Sequence, residues 1–498
     1  MTRYLFGFLS VCALGLLGCS ETAGTGGSGG NGAAGGDGGS GGGGTGGQGG
    51  TGGMPECESA NDCDDKNECT KDVCNPATGM CESTSVPDGS PCGPETPLGN
   101  RSGDCVAGSC DFRPVTVAVG TKEVVFDYTS DRCDDFDFPD STAHIVRAAD
   151  GELILFAAVP SSVLGATSGA YRVSRGPDFN SFERVCEPPA LVSADVRTPE
   201  SYENQEWLWT PYREGTDWHV LIHNEFHDTM APPPCVAGDP LSSNPCWYNS
   251  ITYAVSTDGA ATFVKPGAPA HVVAPPPEVW TPPGPDAPVQ RWYAEGYFEP
   301  SNIVLGPEDY YYTGFRAIPR YDVDYRGTCI MRTKTLHDPA SWRAWDGEGF
   351  NLKLSSPYVT ETPTEVCDFV QMPDGQMMDF SSLTYNTYLD RYMAVGIWGD
   401  WVDGKLLCGV YLSLSFDLIH WSHIQLITKA LSWCETDPTI PGLIETVSIG
   451  YPSIIDHTDP STNFERPGRT PYLYYTRFND GGLDRDLVRV PVRFTLEE

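Results

Sequence analysis

The 498 residues carry 31 Lys+Arg against 67 Asp+Glu, a formal net charge of −36. A surface this acidic repels phosphate backbones, which excludes nucleic acid as a partner and favours cations instead. The 18 cysteines point to an oxidising compartment, where even sets of cysteines become disulfides.

At the N-terminus, Thr2 and Arg3 precede an apolar run over residues 4–17. The run has signal-peptide length and falls short of the roughly 20 residues of a membrane-spanning helix. It ends in Leu16-Leu17-Gly18-Cys19, which resembles a bacterial lipobox. The resemblance implies a signal peptide over 1–18 and lipidation of Cys19 as the first mature residue. It also implies a membrane partner through that anchor, at the cell envelope. Ser20, rather than Asp, after the cysteine suits the outer membrane. A plain secretory signal with an incidental cysteine is the alternative and gives a secreted protein. Residues 19–54 then read as lipidated Cys followed by a Gly-rich tether, without apolar periodicity or a core to fold around. GxGxxG matches occur inside it, but no strand precedes them and no helix follows, so they bind no nucleotide.

Residues 55–113 hold eight cysteines, from Cys57 to Cys110, with no Cys-x-x-Cys pair and no histidine. Zinc sites need tighter ligand spacing, so a disulfide module is expected. Asp62, Asp64, Asp65 and Asn67 could hold calcium, but their order departs from the EF-hand loop and lacks its glycine. A solvated acidic turn is the plainer reading.

From residue 114 to 498 short aromatic and β-branched runs alternate with Gly, Pro, Asn and Asp, an all-β pattern. Groups of three or four strands recur every 60–85 residues, which calls for a repeat architecture. Third strands tend to end in a shared turn. Ser256-Thr257-Asp258-Gly259-Ala260-Ala261-Thr262-Phe263 is similar to the Asp-box of sialidases, with Ala260 at the second glycine. Ser415-Phe416-Asp417-Leu418-Ile419-His420-Trp421 resembles the Ser-x-Asp-Leu-x-x-Trp turn of arabinanase- and invertase-type glycosidases. Asp178-Phe179-Asn180-Ser181-Phe182 and Asp338-Pro339-Ala340-Ser341-Trp342 are looser copies. These aspartates are expected to cap turn amides while the aromatic packs between sheets. Five such groups predict a five-bladed β-propeller.

In a propeller the start of each inner strand and the end of the second strand share a face. Those positions collect Asp140 and His144, Glu203 and Asn204, His223, Glu225 and His227, Glu299 and Arg316, Asp379, Trp398 and Asp400, and Tyr451, Arg477 and Asn479. Acids, arginines and aromatic rings around one mouth suit a hydroxylated ligand, a carbohydrate. Phe298-Glu299-Pro300-Ser301-Asn302-Ile303-Val304, followed by Tyr310-Tyr311-Tyr312, resembles the acid-bearing strand of five-bladed glycosidases. The resemblance implies Glu299 as general acid, Asp140 nearest their first-blade Asp, though without its Asp-Pro pair, and Asp379 nearest their third carboxylate. His223, Glu225 and His227 alternate on a strand and so face one side, where they could contact a sugar or ligate a metal. Arg316, Trp398, Asp400 and Arg477 are further candidate sugar contacts. No cofactor is required by this chemistry, and a divalent cation such as calcium stays open. Two functions follow: a tethered extracellular glycosidase, or a non-catalytic surface propeller that binds glycan or protein. Cys235–Cys246 and Cys408–Cys434 are expected disulfides.

Overall fold

The computed structural model describes residues 57, 59–64, 67–95, 101–106, 108–160, 169–194, 196–228, 246–282, 293–319, 326–359, 365–370, 372–373, 376–402, 405–432, 438–479 and 482–496. Cys19, the tether, Cys235 and Cys434 lie outside them. Six disulfides are seen among the described residues; Cys246 and Cys408 are also disulfide-bonded. The chain forms two compact units, one of 57–93 with 103–111 and one of 94–102 with 112–496.

In the smaller unit, β1 (Thr70–Asn75) and β2 (Met80–Ser85) make an antiparallel hairpin. β3 (Pro91–Glu95), β4 (Arg101–Val106) and β5 (Ser109–Phe112) form a three-stranded sheet. The eight cysteines pair as Cys57–Cys74, Cys63–Cys81, Cys69–Cys105 and Cys92–Cys110. Cys69, Cys92 and Cys105 are fully buried, with Val86 packed against them. Sulfur thus takes the place of the aliphatic core that the sequence lacks. The acidic turn is internally engaged. Asp62 accepts from Ser59 N at 2.7 Å, and Asn67 Oδ1 accepts from Cys69 N at 3.0 Å. Asp65 lies outside the described residues.

The larger unit is nearly all β. Its one α-helical turn among the described residues, α1 (Tyr128–Asp131), follows β6 (Val115–Val119) and β7 (Glu123–Phe126). Its main strands form one four-stranded and two nine-stranded sheets, which divide into five antiparallel strand groups; the second and third groups join by a parallel pairing, as do the fourth and fifth. Group one holds β8 (His144–Arg147), β9 (Leu153–Phe156), β11 (Ser174–Gly176) and β12 (Glu183–Arg184) in spatial order. Beside it, β10 (Ala170–Tyr171) pairs with β13 (Leu191–Val192). Group two is β14 (Gln205–Glu214), β15 (Asp217–His227), β16 (Cys246–Ser256) and β17 (Val272–Ala274). Group three is β18 (Tyr293–Phe298) with β19 (Val304–Leu305), then β20 (Tyr311–Ile318), β21 (Gly327–Thr333) and β22 (Arg343–Ala344). Group four is β23 (Ser382–Asn386), β24 (Arg391–Val402), β25 (Lys405–Ser415) and β26 (Gln425–Leu431). Group five is β27 (Leu443–Ile455), β28 (Tyr472–Phe478) and β29 (Arg485–Leu496). The earliest strands complete it, since both β6 and β7 pair with β29.

Hydrogen bonds between neighbouring groups run in a cycle. Arg213 Nη1 on β14 donates to Arg147 O on β8 at 3.0 Å, and Thr210 Oγ1 donates to Pro300 O at 2.6 Å. Leu383 N donates to Asn302 Oδ1 at 3.2 Å, and Ile454 N to Ser382 Oγ at 3.3 Å. Arg147 N donates to Thr462 O at 2.8 Å, which returns group five to group one. Each successive pair of groups also has its own buried apolar cluster. Trp207 and Phe263 lie between one and two, Tyr253 and Phe315 between two and three, and Ile330 and Tyr411 between three and four. Val410 and Tyr475 lie between four and five, and Leu155 and Tyr474 between five and one. Strands buried on both faces explain why apolar runs here are often continuous rather than alternating.

The shared turns cap as expected. Asp258 Oδ1 accepts from Ala261 N at 3.1 Å and Thr262 N at 3.0 Å, and Asp417 Oδ1 from Ile419 N and His420 N, both at 2.9 Å. Asp178 and Asp338 accept from Asn180 N at 2.8 Å and Ala340 N at 3.0 Å. Phe263 meets Phe156 edge-on at 6.0 Å, and Trp421 meets Phe380 at 4.6 Å.

Candidate functional site

The starts of the first strands gather charge at one end of this cycle. Asp140, just before β8, is 3% exposed, and its carboxylate pairs with Arg485 Nη1 and accepts from Tyr451 Oη at 3.1 Å. Burial raises its carboxyl to about 6, against the pull of Arg485 and with help from the nearby charge of Glu225. Arg485 is itself held over the rings of Phe138 and Phe478, at 4.5 and 4.9 Å.

On β15 the alternation of His223, Glu225 and His227 does place three side chains together, and all are buried. Glu225 lies between the rings, accepting from His223 Nε2 at 3.0 Å and His227 Nε2 at 2.7 Å. Burial alone would raise this carboxyl, but the two imidazole hydrogen bonds outweigh it and hold it at about 2. His223 Nδ1 accepts from Glu299 N at 3.3 Å, which places its own proton on Nε2. The two Nε2 atoms and both Glu225 oxygens are therefore engaged with one another, and His223 Nδ1 with the Glu299 amide. His227 Nδ1, buried without a hydrogen-bond partner among the described residues, is a single donor rather than a chelate.

Glu299 follows β18 with a left-handed backbone, φ +47, a conformation a glutamate adopts only when its surroundings impose it. The hydrogen bond to His223 is one such restraint. Its carboxylate faces Arg316 Nη2 at 3.5 Å, and Asp379 faces Nη1 of the same guanidinium at 3.5 Å. Arg316 is buried beneath them, 4.7 Å over the Phe298 ring. Burial disfavours its charge, but Glu299 and Asp379 more than compensate and raise its pKa. The two carboxylates keep 19% and 37% of their side-chain surface in solvent. Sharing one guanidinium, they lie no more than about 10 Å apart, within the span of carboxyl pairs that work together on a glycosidic bond. Tyr451, at φ +54, completes the set between Asp140 and Arg316.

Not every expected residue joins. Arg477 pairs with Asp486 at 2.5 Å and faces Glu445 at 3.6 Å. It sits opposite Asp486 in register, while Phe478 sits opposite Arg485, so the two arginines occupy opposite faces of the sheet. Asn479 bonds Asp484 and Asp486, within the Arg477 cluster. Asp400 is exposed on β24, whereas Trp398 packs half-buried against the cluster of Met378 and Phe380, which flank Asp379. Glu203 pairs with Lys265 at 3.1 Å. Asn204 laces β14 to β15, donating from N to Asn224 Oδ1 and accepting from His227 N. His144 is buried, and burial lowers its pKa to about 3, so it is a neutral ring. Arg485 is the residue that sequence reasoning misses. It opens β29, a strand that carries two further arginines, so nothing local marks it out.

No protein-family model matches the chain, and no curated protein matches it. Among solved structures, it is similar to a protein of unknown function from Dyadobacter fermentans DSM 18053, at 12% identity and a TM-score of 0.40, covering 76% of this chain and 99% of that one. It is similar to an exo-1,5-alpha-L-arabinanase from a bovine ruminal metagenomic library, at 8% identity and 0.34, covering 72% and 94%. A Trypanosoma rangeli sialidase aligns at 11% identity and 0.31, over 76% of this chain and 59% of its own length.

Proposed function

We propose that the larger unit is a five-bladed β-propeller whose mouth hydrolyses a glycosidic bond in an extracellular oligo- or polysaccharide. The cycle of hydrogen bonds between neighbouring groups and the five intervening apolar clusters support the propeller. One observation carries the activity: two solvent-reachable carboxylates, Glu299 and Asp379, share the buried Arg316 beside a strained backbone. In this reading Glu299 donates its proton to the leaving oxygen, and Asp379 serves as base or nucleophile. Asp140, fixed by Arg485 and Tyr451, orients the sugar from the floor. His223 holds Glu299 in place, with Glu225 and His227 behind it, and Trp398 packs against the cluster of Met378 and Phe380 on either side of Asp379. A lipid on Cys19 would tether the protein to the envelope, with residues 21–54 as the spacer.

A second reading has the same support from Arg316. A guanidinium facing both carboxylates also suits a mouth that binds sugar hydroxyls without turnover. Glu299→Gln separates the two, because it keeps shape and hydrogen bonding but removes the transferable proton. Assayed on any glycan the protein hydrolyses, it should lower kcat by about 10²–10⁴-fold with binding nearly intact. Unchanged turnover removes Glu299 from the mechanism. Binding without hydrolysis of any member of a broad glycan panel selects the second reading.

A further inference from the structure

At the opposite end of β20 from Arg316 lies a cavity of about 460 Å³. Arg332, Lys334 and Arg343 line it, together with Tyr310, Phe350 and the hydroxyl-bearing Ser341. Tyr312, whose strand pairs with Arg332, is four residues before Arg316, about 13 Å along the strand. The cavity is therefore distinct from the carboxylate site.

Its charge runs against the rest of the molecule. In a chain with more than twice as many acids as bases, Arg175, Arg316, Arg477, Arg485 and Arg489 each face a carboxylate. No carboxylate among the described residues lies within ion-pair distance of Arg332, Lys334 or Arg343. Asp338 is the one acid in the lining, and its Oδ1 is engaged by Ala340 N at 3.0 Å. Aromatic faces hold Arg332 and Lys334 instead, and backbone carbonyls hold Arg343. The Arg332 guanidinium lies 3.9 Å over Tyr310 and 4.4 Å over Phe350, with Nη1 donating to Tyr312 Oη at 3.0 Å. Lys334 Nζ lies 4.4 Å over Tyr310. Arg343 Nη1 donates to the carbonyls of Ala340 and Trp342, both at 2.8 Å. Rings fix the position of a cation without neutralising it, so its charge stays available to an anion and little side-chain entropy remains to be lost. Guanidinium groups also match the geometry of an oxyanion.

We propose that this cavity is a binding site for a sulfate- or phosphate-type oxyanion, either free or as an ester on a saccharide. The purified protein is titrated calorimetrically with inorganic sulfate, with inorganic phosphate, and with a sulfated monosaccharide beside its unsulfated parent. Saturable binding of an oxyanion is expected, weakened about tenfold or more by Lys334→Glu, which places a negative charge on an exposed part of the lining. Lys429→Glu, an equal charge change on β26, should leave binding within about twofold of the parent. Tighter binding of the sulfated sugar than of free sulfate identifies the ester as the source, and equal binding identifies the free ion. Absence of saturable binding, or equal weakening by Lys334→Glu and Lys429→Glu, overturns the proposal. A fold check by circular dichroism accompanies each variant.

Discussion

Asp140 and Asp417 carry the same carboxyl group in opposite surroundings. Asp417 follows a third strand, where burial would raise its carboxyl but the His420 ring and the turn amides together outweigh it and hold it at about 2. Asp140 begins a first strand, is removed from water, and is raised to about 6 even with Arg485 against it. The outer carboxylate meets donors from its own few residues, so its role is local and structural. Asp140 and Asp379 instead meet groups brought from other strand groups, Arg485 and Tyr451 for the one and Arg316 for the other. Position in the repeat, rather than residue type, decides which acids can take part in chemistry.

Four substitutions press on this contrast. Glu225 is an inner acid whose two oxygens are both committed, so its loss should be the most damaging. Glu225→Ala strands two buried imidazoles and should lower stability by about 3–5 kcal/mol at neutral pH. The folded carboxyl is held below its ordinary value, so this stabilisation is complete above about pH 4.5 and is lost as pH falls toward 2. Urea midpoints measured across that range check both the size and the direction.

Glu465 should behave in the opposite sense. The 456–468 segment of group five lies across the far ends of the first strands. Asn463 Oδ1 accepts from Arg213 N at 2.8 Å, and the carbonyls of Glu465 and Pro467 accept from Tyr385 N and Thr387 N at 2.9 and 2.7 Å. Within it Glu465 accepts from Leu305 N at 3.1 Å and Tyr212 Oη at 3.3 Å. Burial, aided by Asp459, pushes its carboxyl up to about 7, against Leu305 N, Tyr212 and Arg466. A raised carboxyl costs stability as pH climbs from about 4.5 through 7, because the folded state retains a proton that the unfolded state releases. Glu465→Gln should therefore stabilise the protein by about 2–3 kcal/mol at pH 8 and by almost nothing at pH 4.5. A pH-independent effect would show that the group is ionised throughout.

The local features were legible in the sequence, and the long-range ones were not. The capping turns at Asp258 and Asp417 are visible because donor and acceptor lie within four residues. The period-2 alternation of His223, Glu225 and His227 is enough to put them on one face. Nothing local says that Glu225 lies between both rings, since that depends on how deeply β15 is buried. Arg485 and Arg477 look alike along the chain, and only the register of β28 with β29 sends them to opposite faces. Residues 456–468 read as an ordinary Asp-, Pro- and Gly-rich connection. Their role comes from partners up to about 300 positions away, which no periodicity reports.

Asp417→Asn tests the outer half of the contrast. It weakens a charged cap that is half in solvent, so screening keeps the cost near the low end, about 1 kcal/mol. The turnover of the folded fraction should not change. The penalty should vanish as pH falls toward 2, where the parent aspartate also loses its charge.

The smallest effect belongs to Ala260, in the turn of group two. Its φ of +60 is a left-handed conformation that costs an L-residue about 1 kcal/mol and glycine nothing. By that argument alone Ala260→Gly should stabilise the turn. The methyl group, however, is fully buried within the apolar cluster of Phe156, Trp207 and Phe263. Removing one buried carbon costs about 0.8 kcal/mol, and glycine gives the unfolded chain more freedom to lose. The opposing terms nearly cancel, so the variant should fall within about 0.5 kcal/mol of the parent in a denaturant titration. A gain above about 1 kcal/mol would mean that backbone strain dominates this turn. An equal loss would mean that the alanine is kept for its packing between groups one and two.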